Sequence, residues 1–375
     1  MSSTLTKSPG RAALTSRRPP EVLTSLRLRY LREPRRAPAG AARPSNNERQ
    51  QRAAPHANHV IRTLLAWLLF ATALPSPAAP FAYITNQGSN DVSVIDLALQ
   101  KVVATVPVGR APAGVVAASR SGKVYVSNPD SRSISVIDMR TQRVVATLPA
   151  GSGPVGIDAA PDGSRLFVAD WYANRLLVFD TATAAALPSV AVGRAPAGVA
   201  VDAAGATVYV AERDDDSVAA IDIASGQVRG RVKVGTHPFA LLSDPRRERL
   251  YALNVLSDDV SVIDTRRLAV TATVKVGKAP YGAALARDGA LLYVTNQHDD
   301  SVSVVDAERL EVVRTLAGFG YPEGVAAHAD RVYVVNWMDD DVSVLDAASG
   351  RSLGRIATGR NSRGFGAFIG APPSP

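Results

Sequence analysis

Cysteine is absent from all 375 residues, so disulfides neither staple this chain nor say anything about its compartment. Histidine occurs five times and tryptophan three times, which leaves little material for a zinc cage of three or four converging ligands. Long hydrophobic runs are missing too. The longest apolar stretch of note, Leu64 to Leu74, falls well short of the roughly 20 residues that a membrane-spanning helix needs. No helical period is sustained after it. What is present is ordinary for a folded domain: 46% hydrophobic and 20% charged residues, in a chain too long for one small core.

The formal charge of +8 raises the question of a nucleic-acid partner, and its location answers much of it. Residues 1–60 hold twelve Lys or Arg against three Glu (12 − 3 = +9), and Arg62 adds one more. From residue 81 onward 29 basic side chains face 31 acidic ones, a balance of −2. Residues 1–59, rich in Arg, Pro, Ala and Ser, read as a disordered basic extension. Residues 60–79 have the layout of a secretory signal: Arg62, the apolar run, then small residues with cleavage after Ala73 or Ala78. The expected location is therefore the periplasm or the medium. A signal this deep fits a translation start at Val60; the alternative is an inner-membrane anchor with a basic cytoplasmic tail. On the signal reading the mature protein has no transmembrane segment.

Residues 80–375 repeat. Tracts such as "FAYITN", "VYVSN" and "LYVTN" end at Asn86, Asn128, Asp170, Glu212, Asn254, Asn296 and Asn336. Ten residues after each comes an Asp, usually closing a "VSVID"-like tract: Asp96, Asp138, Asp180, Asp222, Asp264, Asp306 and Asp346. These stand 42 residues apart five times and 40 once. A third apolar tract, a Gly-x-x-Pro loop and a fourth tract complete each period. Alternating Val, Ile and Tyr between turn residues predicts four short strands in hairpins, and a period of 40 to 45 residues with four strands is the blade of a β-propeller. The expected fold is all-β: a seven-bladed propeller of four-stranded blades, with the segment Gly364 to Gly370 supplying the strand that the blade beginning at Phe81 lacks.

The Tyr-Val-Thr-Asn tract, followed by Val-Ser-Val-Ile-Asp and Gly-x-x-Pro-x-Gly-Val, resembles the YVTN family of β-propellers, including the YncE-like periplasmic proteins. The resemblance covers residues 81 to 370 and implies the propeller fold. For function it implies a range, from surface-layer proteins and a proposed single-stranded-DNA binder to propeller subunits of quinone-linked dehydrogenases and, more distantly, lactonases. A fold alone licenses none of these.

Repetition separates scaffold from site. A residue found in every blade serves the blade; one found once is free to do something else. The closing Asp of each third strand reads as a turn former, and the Asn, Asp or Glu after each second strand as scaffold. "GSGPVG" (Gly151 to Gly156) fits a dinucleotide pattern, and "GRSLG" around Ser352 a nucleophile elbow, but both sit in hairpin contexts where a helix should begin. Neither indicates a cofactor, and no cofactor or metal is expected.

The variable loops fall on one face of the disc. Asp214, Asp215, Asp216, Asp258, Asp259, Asp299, Asp300, Asp339, Asp340 and Asp341 form an expected acidic arc there. The residue after each loop proline should ring the channel mouth: Ala113, Val155, Ala197, Phe239, Tyr281, Glu323 and Arg363. His237, Phe319 and Tyr321 lie near them in sequence, with Trp171, Tyr172, His298 and Trp337 on outer loops. The candidate contact set is thus His237, Phe239, Tyr281, Tyr321, Glu323, Arg363, Trp171 and Trp337, since exposed Trp, Tyr and Arg dominate binding hot spots. The reading drawn is a non-catalytic monomer binding a protein partner or small molecule on this face. A hydrolase using Glu323, His237 and Arg363, or a dehydrogenase accessory, is the alternative. Nucleic-acid binding lacks the basic groove it requires.

Overall fold

The computed structural model describes residues 80–373; the basic extension and the signal layout lie outside the described residues. Seven antiparallel sheets follow one another in chain order. Blade 1 contains Phe81–Asn86, Asp91–Asp96 and Lys101–Pro107. Blades 2 to 7 open with the inner strands Val115–Ala118, Pro154–Ala159, Pro196–Val201, Pro238–Asp244, Pro280–Ala286 and Pro322–His328, and each continues outward through three more strands. Helical structure among the described residues is limited to four three-residue 3-10 turns.

The burial along each strand explains the sequence pattern. Second strands such as Lys123–Asn128 are buried at nearly every position, because blades pack on both faces of them, and so they read as continuous Val, Tyr and Ala. Fourth strands such as Lys101–Pro107 alternate exposed and half-buried residues, as a rim strand facing water on one side must. The core is accordingly a ring of interfaces between blades rather than one central cluster.

Each letter of the repeat has a physical task. The tyrosine hydroxyl reaches the next blade: Tyr83 accepts from Gln142 Nε2 at 3.2 Å, Tyr333 from Gln100 Nε2 at 2.8 Å, and Tyr293 donates to the Ala347 carbonyl at 3.1 Å. The Thr or Ser two residues later donates to the inner strand of the next blade: Thr85 to Ala113 O (3.0 Å), Ser127 to Val155 O (2.6 Å) and Thr295 to Glu323 O (2.7 Å). The buried Asn ties its own blade, Asn86 Nδ2 donating to Ser93 Oγ at 2.9 Å and Asn296 Nδ2 to Ser303 Oγ at 2.9 Å. The closing Asp accepts the following backbone N–H groups, as Asp96 does from Ala98 and Leu99 at 2.8 and 2.9 Å. Glycine is required where inner strands crowd the axis: a Cβ on Gly156 would stand 1.9 Å from the Ala197 carbonyl oxygen.

The ring closes as the repeats predict, with one difference. The inner strand of blade 1 arrives in two pieces, Ser362–Arg363 pairing with Asn86 and Thr85, and Ile369–Gly370 pairing with Ala82 and Phe81. Six steps on this strand (363 to 369) are set against three on its partner (85 to 82). The excess swings inward and binds blade 2 instead, with Val115 N–H donating to Phe365 O at 2.9 Å and Ala117 N–H to Ala367 O at 2.8 Å. Gly366, at φ +123°, makes that excursion where a Cβ would strike the Val115 carbonyl. The inner strands of blades 3 to 7 carry only a one-residue bulge, as between Pro154 and Ile157.

Phe368 is fully buried in the seam. Phe368→Ala should therefore cost about 3–5 kcal/mol, read as a lowered urea midpoint, whereas Leu99→Ala at an exposed hairpin should stay within about 0.5 kcal/mol.

Candidate functional site

The inward excursion decides what the channel mouth looks like. Phe365 is anchored by its backbone to blade 2, yet its ring lies 4.9 Å from Phe239 on blade 5 and 5.9 Å from Tyr281 on blade 6, centroid to centroid. Phe239 and Tyr281 are themselves 4.5 Å apart. Three aromatic rings thus meet across the axis and close the mouth. Trp171 extends the cluster outward at 6.2 Å from Phe239, with the Arg213 guanidinium over its ring.

Glu323 and Arg363 sit beside this plug. Arg363 Nε donates to Glu323 Oε2 at 2.5 Å and Nη2 to Oε1 at 3.3 Å, while Gln297 Nε2 donates to Oε1 at 2.9 Å. Arg363 also donates to the Tyr281 hydroxyl. Glu323 is 3% exposed and Tyr281 6%. Burial pushes the Glu323 carboxyl above its usual range, opposed by the Arg363 guanidinium and the Gln297 amide. Burial likewise raises the Tyr281 phenol. The pair is internally satisfied and holds blades 6, 7 and the seam together.

A second aromatic row lies further out. Tyr321 stands 5.7 Å from His298 and 5.6 Å from Trp337, and Trp337 Nε1 donates to Gln87 Oε1 at 3.3 Å. His237 joins neither row. It faces Asp214 at 3.9 Å, and burial and the nearby Arg213 lower its pKa. Of the eight candidate residues, the structure brings Phe239, Tyr281, Glu323 and Arg363 together, places Trp171 against them, groups Tyr321 with Trp337, and leaves His237 aside.

The acidic arc proves to be scaffold. Asp216, Asp258, Asp300 and Asp340 adopt left-handed φ values and accept the backbone N–H of His237, Ala279 and Tyr321 in the neighbouring Gly-x-x-Pro loops and of Asn361 in the equivalent Gly359 to Ser362 loop. Asn90 and Asn174 do the same for Ala111 and Ala195. Asp299 accepts from Lys278 N–H, and Asp215 and Asp339 pair with Arg194 and Arg355. Among the described residues no three His, Asp or Glu side chains gather as a metal cage.

Two residues escaped the sequence reading. Phe365 is one. The other is Asp158, on the inner strand of blade 3, below the plug. The equivalent positions four residues after the loop proline are Val116, Ala200, Leu242, Ala284 and Ala326, so Asp158 is the unrepeated residue that blade-by-blade comparison flags. Its Oδ2 accepts Val201 N–H and its Oδ1 accepts Ala159 N–H, both at 2.8 Å. It borders a cavity of about 380 Å³ that occupies the channel. Asp158 is half-buried there, and desolvation raises its pKa to about 6 against those two hydrogen bonds.

Together these features define a closed, seven-bladed β-propeller with a plugged channel and an aromatic loop face. Residues 117–204, spanning blade 2 to the start of blade 4, match the family model of the YNCE-like beta-propellers, the family that the repeats resemble. No curated protein matches. Solved structures of similar fold include the hydrazine synthase of Kuenenia stuttgartiensis (21% identity, TM-score 0.65, 76% of this chain and 99% of that one). Others are a functionally unknown protein from Desulfotomaculum acetoxidans (16%, 0.68, 78% and 99%) and the dihydro-heme d1 dehydrogenase NirN (15%, 0.60, 77% and 75%). At these identities the likeness is one of fold.

Glu323→Ala leaves the Arg363 charge buried and unpaired, and should cost about 3–5 kcal/mol in chemical denaturation. Asp158 supplies a pH test. Its folded pKa lies above the unfolded value, so the stability linked to its protonated form is complete below about pH 4 and is lost as pH rises through about 6, by about 3 kcal/mol at most. Asp158→Asn should remove that share of the slope in urea melts across this range.

Proposed function

We propose that this propeller is an exported, monomeric binding protein that docks a protein partner on its aromatic loop face. One observation carries the reading. Tyr172, Leu256 and Met338 occupy the same loop position on blades 3, 5 and 7 and are each more than half exposed (55%, 59% and 53%), around a mouth the protein has filled with its own rings. A filled mouth presents a surface rather than a pocket, and exposed apolar side chains ringed by polar loops are the form a protein contact takes. Export rests on the layout of residues 60–79.

The hydrolase alternative is poorly served at this mouth. Both Glu323 oxygens are engaged by Arg363 and Gln297, and His237 stands with Asp214. Nucleic acid is poorly served as well, since Arg194, Lys275 and Arg355 on this face are paired with Asp215, Asp259 and Asp339. Docking onto an oxidoreductase is one form the proposed contact could take.

A photo-crosslinking residue at Leu256 in the full chain, expressed in its host, should yield a discrete adduct with one protein. The same probe at Leu353, exposed on the rim strand of blade 7, should not. Tyr172→Ala with Met338→Ala should abolish the adduct while leaving stability within about 0.5 kcal/mol for each exposed site. Identical products from Leu256 and Leu353 would reject the docking face.

A further inference from the structure

The channel below the plug contains a cavity whose walls are the inner strands of blades 3 to 7 and the inward excursion Gly364 to Ala367. Those walls are almost entirely Gly, Ala, Val, Leu and backbone. Asp158 is the one charged side chain lining it, and Ser243 is the one hydroxyl. The volume of about 380 Å³ falls in the range of about 300–1,000 Å³ typical of small-molecule pockets.

The carboxylate is not explained by the architecture. Blades 2, 4, 5, 6 and 7 carry Val116, Ala200, Leu242, Ala284 and Ala326 at the same place and pack without one. Its protein partners are two neutral N–H groups, on Val201 and Ala159, and each oxygen keeps a second lone pair. A half-buried carboxylate without a cation still carries a desolvation cost. One carboxylate and a hydroxyl cannot supply the six to eight oxygens that Ca²⁺ takes, and the apolar walls favour a ligand with carbon to bury.

We propose that the channel cavity binds a small organic cation, a primary ammonium on a short apolar chain, with Asp158 as its counter-ion. The ammonium donates to the free lone pairs of Asp158, and the chain lies along Ala283, Ala326 and Leu285. With the aromatic plug closing one end, the ligand approaches from the opposite face of the disc. The site is thus independent of the docking surface, and the two readings fail separately.

Binding should also follow the Asp158 proton. Other titratable groups on the packed elements include Glu323, Arg363 and Tyr281 in the plug, Arg165 on the Ile223 carbonyl, Asp170 paired with Arg175, Asp202 held by Ala206 and Thr207 N–H, Asp244 held by Arg247 and Tyr251, and exposed His328. None of these lines the cavity, which leaves Asp158 as its one titratable group. Affinity should therefore rise as pH increases through about 6.

Calorimetric titration of the full chain with n-butylammonium at about pH 7.5 tests this, with 1-butanol and butyrate as neutral and anionic probes of like size. The ammonium should bind, butanol should bind about tenfold or more weakly, and butyrate should give no heat. Asp158→Asn, which keeps an acceptor for Val201, should lose the preference for ammonium over butanol. Ala326→Leu, which fills the channel and leaves Asp158 in place, should weaken all binding and serves if the first variant does not fold. Equal ammonium affinity in native and Asp158→Asn protein, binding unchanged by Ala326→Leu, or no heat with the native chain would each overturn the proposal.

Discussion

The structure depends on how closely neighbouring inner strands approach at the axis, and at three of the blade junctions a Thr or Ser hydroxyl of the "YVTN"-like tract reaches the inner-strand carbonyl of the next blade. Thr85, Ser127 and Thr295 make this bond, and at the seam Ser362 donates in the opposite sense, from the inner strand to Asn336 O of blade 7 at 3.0 Å. Inner strands at a channel cannot all find partners within their own sheets. A side-chain donor from the neighbouring blade satisfies the orphaned carbonyl and fixes the angle between blades at the same time. Gly114 and Gly282, two residues past their loop prolines, follow from this geometry, because the carbonyls so held, of Val155 and Glu323, occupy the space a Cβ would need.

The fold was legible in the sequence because every blade repeats the same answer to the same problem. The site was less so, and particular residues show why. The Asp-rich loops looked like a variable acidic surface, but in six of the seven loops one carboxylate or amide recurs in function, at Asn90, Asn174, Asp216, Asp258, Asp300 and Asp340, clamping the next loop. Asn and Asp are interchangeable for that task, since either accepts a hydrogen bond and tolerates left-handed φ, so identity varied where the role did not. Phe365 was hidden for a different reason. Its place depends on how many residues the seam strand sets against blade 1, and register shifts are not written in local propensity.

The same excursion divides the molecule into two chemically distinct halves. Above it, aromatic rings and the Glu323–Arg363 pair form an interlocked surface. Below it, small side chains leave a hollow with one carboxylate. A propeller with an open bore would expose both environments to the same solvent and the same ligands. Five residues of chain, Gly364 to Phe368, keep them apart.

That seam has a consequence for how the protein reaches its native state. The residues that complete blade 1 lie nearly 290 positions along the chain from it, as Phe81 and Gly370 show. Bringing ends together over such a span costs about 5 kcal/mol in chain entropy, and the contact with the longest sequence separation is made only after the six intervening blades exist to shorten it. Blade 1 therefore waits, with one edge unpaired, for the last strand to be made. During that interval the Phe81–Asn86 edge is the segment most open to pairing with another copy, and the latch that finishes the ring is also what ends the exposure.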